Sequence, residues 1–183
     1  MKKEIIIFAL LLIVFLIFIT REPPEPKEFV NDKVILNYSN LFFNYKIIRY
    51  PTSVEVLPLE KNINIGMVTD PWNLKFGSVP GNGSSIKRYI SITNLKEKYN
   101  KIKLRTYGNI TPIVNFTEKD FILNQNESAA IEVNLYTDSV EYGNYSGEID
   151  VIIKIPNYDF LKILLWLNEK IVFINYFFYF NPN

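Results

Sequence analysis

Short runs in which apolar and polar residues alternate fill the chain from about residue 54 to residue 156. In residues 147–155, every second position from Ile149 to Ile155 is apolar, and Glu148 and Asp150 take the other parity. Because successive side chains of a strand point to opposite faces, each such run predicts a strand with one buried face. Turn residues divide the runs at intervals typical of an all-β protein.

The same pattern recurs at several places along the chain. The expected core positions are Ile63, Ile65, Met67, Leu74, Phe76, Ile86, Ile90, Ile92, Ile102, Leu104, Ile131, Val133 and Leu135. A glycine-rich turn is predicted over 77–83, between two of these strands. Six or seven strands of this kind predict two sheets that share a core. The predicted fold is therefore an all-β sandwich over residues 54–157.

Three segments resemble a known group of domains: Leu-Lys-Phe-Gly-Ser-Val at 74–79, Ile-Ser-Ile-Thr-Asn at 90–94, and Tyr-Gly-Asn-Tyr-Ser-Gly-Glu-Ile-Asp-Val at 142–151. They are similar to the immunoglobulin-like β-sandwich domains of bacterial and archaeal envelope proteins, which include the NEW3-type and major-sperm-protein-like sandwiches. The resemblance covers about 100 residues. It implies an immunoglobulin-like fold and is nearly silent on function, because such folds host many roles.

That fold places the strand at 101–106 beside the strand at 147–155. Lys101, Lys103 and Arg105 would then face Glu148 and Asp150 on an outer, solvated sheet surface. Opposite charges across neighbouring strands stabilise the pairing and help to fix its register.

The first 21 residues predict a transmembrane signal anchor. Residues 5–19 are apolar without interruption, and Lys2 and Lys3 precede them. A cleaved signal peptide is the alternative, but it needs small residues around a cleavage site, and the run ends instead at Ile19-Thr20-Arg21. Because basic residues flank the cytoplasmic end of such helices, the rest of the chain is expected outside the cytoplasm, as a single-pass membrane protein.

Residues 22–53 predict a proline-rich spacer followed by an apolar stalk. Pro23, Pro24 and Pro26 favour an extended chain. Residues 34–36 and 41–48 are too apolar for a free linker. Two alternatives stay open for them: a hairpin turned at 37–40, or a segment lying on the membrane surface.

Residues 158–183 form a hydrophobic C-terminal tail. Glu169 and Lys170 near its centre make a second membrane span costly. The alternatives are a final strand or a hairpin that pairs 163–167 with 171–174, a helix at or in a membrane, or interfacial docking of the tail's aromatic side chains.

Six Asn-x-Ser/Thr sequons are present, which is more than chance predicts. Such sequons accept N-linked glycans on the surface of exported proteins. The alternative is that Asn and Ser recur together at turns for backbone reasons. The candidate glycosylation sites are Asn37, Asn82, Asn109, Asn115, Asn126 and Asn144.

Basic residues crowd one predicted hairpin. Most of these basic residues are explained as cross-strand partners of acidic residues on the later strands. The functional alternative is a loop, Lys96, Lys98, Tyr99 and Lys101, that contacts an acidic partner such as a surface polysaccharide or a neighbouring subunit.

Neither histidine nor cysteine occurs in the 183 residues. That excludes catalytic triads, thiolate nucleophiles and metal sites with His or Cys ligands. The net charge of +1 gives no general attraction to nucleic acid. No catalytic residue, cofactor or metal is predicted. The expected function is a non-catalytic binding or adhesive module of the cell envelope, held in the membrane by its N-terminal helix and contacting envelope protein, surface-layer protein or glycan. The alternative is a structural or stator-like subunit of a larger envelope complex.

Overall fold

A computed structural model describes residues 3–4, 6–8, 23–58, 73–81, 83–138, 140–162 and 165. The described residues contain nine strands and two short 3-10 turns, Thr111–Ile113 and Asp159–Leu161. The strands are β1 Val34–Ser39, β2 Phe43–Leu57, β3 Leu74–Pro80, β4 Ser85–Thr93, β5 Asn100–Gly108, β6 Val114–Phe116, β7 Asp120–Leu123, β8 Ser128–Tyr136 and β9 Gly143–Pro156. The all-β prediction is confirmed.

The strands form two sheets. The larger sheet has the order β1-β2-β9-β5-β7, with β3 pairing β2 beyond the end of β1, and the smaller has the order β4-β8-β6. All pairs are antiparallel except β2 with β3. The predicted neighbourhood of residues 101–106 and 147–155 is observed, since β5 pairs β9 from Lys101 to Gly108.

One hydrophobic core fills the space between the sheets, and both sheets contribute to it. The side chains that alternation predicted to be buried lie in this core. Ile149, Val151 and Val133, for example, have no exposed surface. In such a fold, the burial of apolar surface between the two sheets is the main source of stability. The arrangement is consistent with the predicted sandwich.

The segment interpreted as a stalk is part of the larger sheet. β1 and β2 form a hairpin in which Ser39 pairs with Asn44, and β2 then pairs with β9 from Phe43 to Val56. The hairpin turn is held by Asn40, whose Oδ1 accepts from the backbone N–H groups of Phe42 and Phe43. Of the two alternatives for this segment, the hairpin is the one observed, but its turn lies at residues 40–42 and not at the predicted 37–40, because β1 continues to Ser39. The expected domain boundary at residue 54 falls inside β2.

The glycine-rich turn begins later than predicted. β3 continues through Gly77 to Pro80, in parallel pairing with β2. Gly77 has a φ of 73°, and the pairing register shifts opposite it, between Ser53 and Val54. Glycine adopts a positive φ without steric cost, so a β-bulge can form at Gly77. The strand continues past this bulge to Pro80.

A second hydrophobic cluster lies on the other face of the larger sheet. Phe43, Ile47 and Ile152 are buried there beneath Leu161 and Leu165. Lys162 and Leu165 have helical backbone, and Leu161 and Leu165 are buried against the sheet. The other tail residues, including the hairpin partners and the aromatic side chains considered for docking, lie outside the described residues.

Most of the expected membrane anchor, residues 9–21 with positions 1, 2 and 5, also lies outside the described residues, as does the strand expected around 63–67. Within the part of the chain that is described, no helix is both long and apolar enough to cross a membrane.

Candidate functional site

The acids expected on a solvated outer surface are buried. Glu148 and Asp150 are 0% and 1% exposed. Arg49, from the segment interpreted as a stalk, reaches both: its Nε is 2.7 Å from Asp150 Oδ1 and 3.2 Å from Glu148 Oε2, and its Nη2 donates to Asp150 Oδ2 at 2.8 Å. Arg105 does pair with Asp150 across β5 and β9. The prediction of a solvated surface was wrong because Arg49 belongs to the adjacent strand and covers the acids.

Residues 29–33 cross this charged cluster. The backbone N–H of Val30 donates to Glu148 Oε1. Lys33 Nζ lies 4.8 Å from the ring centre of Tyr50. Burial raises the pKa of Glu148, while the Val30 hydrogen bond and the charge of Arg49 oppose that rise. The N-terminal segment is thus fixed to the larger sheet at Val30.

Lys154 lies on the same sheet face, paired with Lys101 on the neighbouring strand. Burial, and then the charge of Lys101, lower the pKa of Lys154 to about 8. The ammonium group lies 3.9 Å from the ring centre of Phe43 and 5.7 Å from that of Tyr45, where the π faces attract it. Lys101 is 5% exposed, and its Nζ is 3.2 Å from Asp120 Oδ1. These charges thus join residues of the neighbouring strands β5, β7 and β9.

A buried asparagine organises the loops at one end of the domain. Asn94 is 2% exposed, and its Nδ2 lies 2.8–3.2 Å from the carbonyl oxygens of Lys98, Leu123 and Asn124. Its Oδ1 accepts from the Lys96 backbone N–H at 3.1 Å and from Asn100 Nδ2 at 2.7 Å. The sequence predicted a turn at Asn94. The structure adds that one side chain fixes two loops, 94–99 and 124–127.

The predicted partner-contact loop is mostly engaged within the molecule. Lys98 Nζ donates to the carbonyl oxygen of Asn157 at 2.9 Å. The Tyr99 ring centre lies 3.4 Å from Lys162 Nζ. Lys101 is buried at Asp120, as described above. Lys96 is exposed, and 40% of the Lys98 side-chain surface is exposed as well.

Asn157 joins this loop to the β1–β2 turn. Its Nδ2 donates to the carbonyl oxygens of Asn40 and Leu41 at 3.0 and 3.2 Å. An open polar groove of about 620 Å³ runs past Lys96, Lys98, Asn157 and Tyr158. Three segments that are distant in sequence therefore meet at one end of the larger sheet, which we call the loop end: residues 40–42, 94–99 and 157–160.

Large apolar side chains project from each of the three segments. Leu41 is 70% exposed, Leu95 81%, Phe160 67% and Tyr158 49%. The rings of Tyr158 and Phe160 stack with centroids 5.7 Å apart. Exposed apolar residues scattered singly are ordinary, but several at one end indicate a contact surface. Reasoning from the sequence missed it because the three segments are up to 119 positions apart and only the fold brings them together.

Five of the six sequons fall on described residues, and all five asparagines are exposed. Asn37, Asn115 and Asn144 lie on strands, and Asn126 lies in a turn with a φ of 58°. Asn109 is the most constrained, because its Oδ1 accepts from Ser146 N–H at 2.6 Å and its Nδ2 donates to the Asn144 carbonyl. Asn82 lies outside the described residues.

The free edge of β4 carries features that oppose strand exchange. Arg88 has the same parity as the core residues Ile90 and Ile92, and its Nη2 donates to the Lys75 carbonyl of β3 at 3.0 Å. Lys87 lies beside it and pairs with Glu132 at 2.8 Å. A charged side chain directed inward at a sheet edge disfavours the addition of another strand.

Among the described residues, no group of three or more Asp or Glu side chains is arranged to hold a metal ion. The described surface has exposed apolar side chains at the loop end and exposed sequon asparagines. No protein-family model matches the chain, and no curated protein matches its sequence significantly.

Proposed function

We propose that this chain is a membrane-anchored, extracytoplasmic, immunoglobulin-like β-sandwich that acts as a non-catalytic binding or adhesive module of the cell envelope. The observation that carries the proposal is the loop end. Its segments are held by Asn94 and Asn157, so exposed Leu41, Leu95 and Phe160 are presented from a preorganised surface. Preorganisation lowers the entropy lost on binding.

Two further observations support the proposal. The described sequons are exposed, as glycosylation outside the cell requires. The one described edge with nine residues, β4, is protected by Arg88 and Lys87, which suits a domain that binds through loops and stays separate from its neighbours. Partners of this module would be envelope protein, surface-layer protein or glycan.

A structural, stator-like subunit of a larger envelope complex is the second candidate. The exposed apolar side chains of the loop end favour it, since apolar patches are common where subunits join. In that case one copy of the chain would purify in a fixed ratio with other subunits.

The test is to purify the chain from detergent-solubilised membranes and to identify partners and glycopeptides by mass spectrometry. We expect the chain in the membrane fraction, with glycan on peptides that contain Asn37, Asn115, Asn126 or Asn144. Replacing Leu95 by Asp should remove bound partners, and the matched Tyr89→Asp on the smaller sheet should not. An unmodified, solitary chain in the cytosol would contradict the proposal.

A further inference from the structure

We infer that an N-linked glycan on Asn37 covers the edge of β1 and prevents two copies of the chain from pairing through that edge. The inference rests on the proposed export of the chain and goes beyond it, because it selects one sequon and states what its glycan does. A second copy of the chain is the partner that this glycan excludes.

β1 lies at the margin of the larger sheet and lacks the protection that the other described edge strands have. β4 carries Lys87 and Arg88, and β3 contains Lys75 and the bulge at Gly77. β6 and β7 are short, with three and four residues. Charges, bulges and shortness are means by which an edge strand avoids pairing with another chain.

The sequence of β1 itself favours pairing. Its six residues, Val-Ile-Leu-Asn-Tyr-Ser, contain no charge, proline or glycine, and they pair with β2 without a register shift. Branched and aromatic side chains without charge are typical of strands that add to one another. In a two-fold antiparallel pair of copies, each residue meets itself or a close neighbour, so an uncharged edge is free of like-charge repulsion.

Asn37 is placed where a glycan blocks that pairing. It lies opposite Lys46 of β2, on the sheet face that also carries Ile35, and all three residues are exposed. The longest two-fold pairings of β1 are centred on Leu36 or on Asn37, and they place Asn37 opposite Ile35 or opposite its own copy. Because opposite Cβ atoms of such a pair are about 4.5–5.5 Å apart, no room is left for a sugar chain.

The same glycan covers an apolar side chain. Ile35 is 50% exposed and lies two residues before Asn37, on the same face of β1. Leu36, on the opposite face, packs against the second hydrophobic cluster. A bulky, hydrated glycan on Asn37 therefore shields the more exposed face of β1.

The modification needs a glycosyl phosphate donor. Nδ2 of Asn37 bonds to the anomeric carbon of the donor sugar and loses a proton, and the phosphate leaves with the electron pair of the broken carbon–oxygen bond. Ser39 completes the sequon. Its hydroxyl donates to Asn44 Oδ1 at 2.7 Å on the exposed surface. Replacing Ser39 by Ala therefore removes the sequon and leaves Asn37 and the rest of the edge in place.

The experiment compares the full chain with its variants after expression in cells that glycosylate Asn-x-Ser/Thr sequons and purification in detergent. The intact mass gives the glycan occupancy, and sedimentation velocity gives the state of association. Asn37→Gln and Ser39→Ala remove the sequon in two ways. Asn144→Gln is the matched control, because it removes an exposed sequon from β9. A rescue variant combines Asn37→Gln with Ile35→Lys, which adds a charge to the edge.

We expect the wild type and the Asn144→Gln variant to be monomeric, with a glycan on Asn37. Both variants that lack the Asn37 sequon should dimerise, with a dissociation constant lowered by about tenfold or more, the equivalent of one or two net backbone hydrogen bonds. The added Ile35→Lys should return the Asn37→Gln chain to a monomer.

Other outcomes overturn the inference and leave the proposed function in place. They are an unmodified Asn37 on a chain whose other sequons carry glycan, monomers in both variants that lack the Asn37 sequon, and dimers that persist when Ile35→Lys is added. A chain that stays in the cytosol with no glycan on any sequon contradicts the proposed function itself.

Discussion

Replacing Asn94 tests whether one buried side chain holds the loop end together. Its amide makes five contacts of 2.7–3.2 Å, three as donor and two as acceptor. Each such hydrogen bond contributes about 0.5–1.5 kcal/mol net, and partners left buried without one cost more. Allowing for shared donors, Asn94→Ala should lower the free energy of unfolding by about 3–5 kcal/mol. That is a large part of the 5–15 kcal/mol typical of a domain.

The assay is guanidinium unfolding of the detergent-solubilised chain, followed by far-ultraviolet circular dichroism. Asn94→Asp keeps the two acceptor contacts but places a carboxylate against three carbonyl oxygens, so it should destabilise at least as much as Asn94→Ala. The control is Asn115→Ala, at the one exposed residue of β6, where the change should stay within about 0.5 kcal/mol. A loss below about 1 kcal/mol for Asn94→Ala would refute the reasoning, because the loops would then be held by other contacts.

Three further predictions concern the sheet and the surface. Lys154→Met should stabilise the protein at pH 7 by about 1–3 kcal/mol, because burial lowers the pKa of Lys154 to about 8 from about 10.4 in the unfolded chain and so makes the charged ammonium group costly in the folded state. Since the folded pKa is the lower one, wild-type stability should rise between pH 8 and about pH 10, and a wild type and variant with parallel pH profiles would contradict this. Gly147→Ala should lower the thermal midpoint sharply, because its Cβ would overlap the Tyr107 carbonyl oxygen. A midpoint like that of Ser146→Ala would count against the β5–β9 pairing. Asn126→Gln should remove one glycan mass from the intact protein, whereas an unchanged mass would show that this sequon is unoccupied.

The period-two pattern was sufficient to predict the core of the domain. In β9 and β5 the alternation gives the buried face directly, since Ile149, Val151 and Ile102 face the smaller sheet and charged residues face away. It could not predict β2, because both faces of that strand are covered. Ile47 is buried on the outer face, while Ile48 packs against the main core. A strand buried on both sides has no polar face, and its sequence is hard to distinguish from other apolar segments.

The outer face of the larger sheet depends on contacts between distant parts of the chain. The sequence predicts that Glu148 and Asp150 are solvated, because the alternation shows only that they point away from the core. Both acids are buried because Arg49, about 100 positions earlier, and Val30 contact them on that face. The loop end was missed for the same reason. Leu41, Leu95 and Phe160 become one surface only through the meeting of three loops, although Lys96 and Lys98 had marked part of it as a candidate contact loop.

The central claim is that the β domain stands outside the cytoplasm on a membrane anchor. The most direct test uses the Tyr89→Cys variant, whose single cysteine lies on the exposed face of β4, in intact cells treated with a membrane-impermeant maleimide. The account predicts full labelling in intact cells, no further labelling after lysis, and labelled protein in the membrane fraction. Labelling that appears only after lysis, at a level matching a cytosolic control protein, would contradict it.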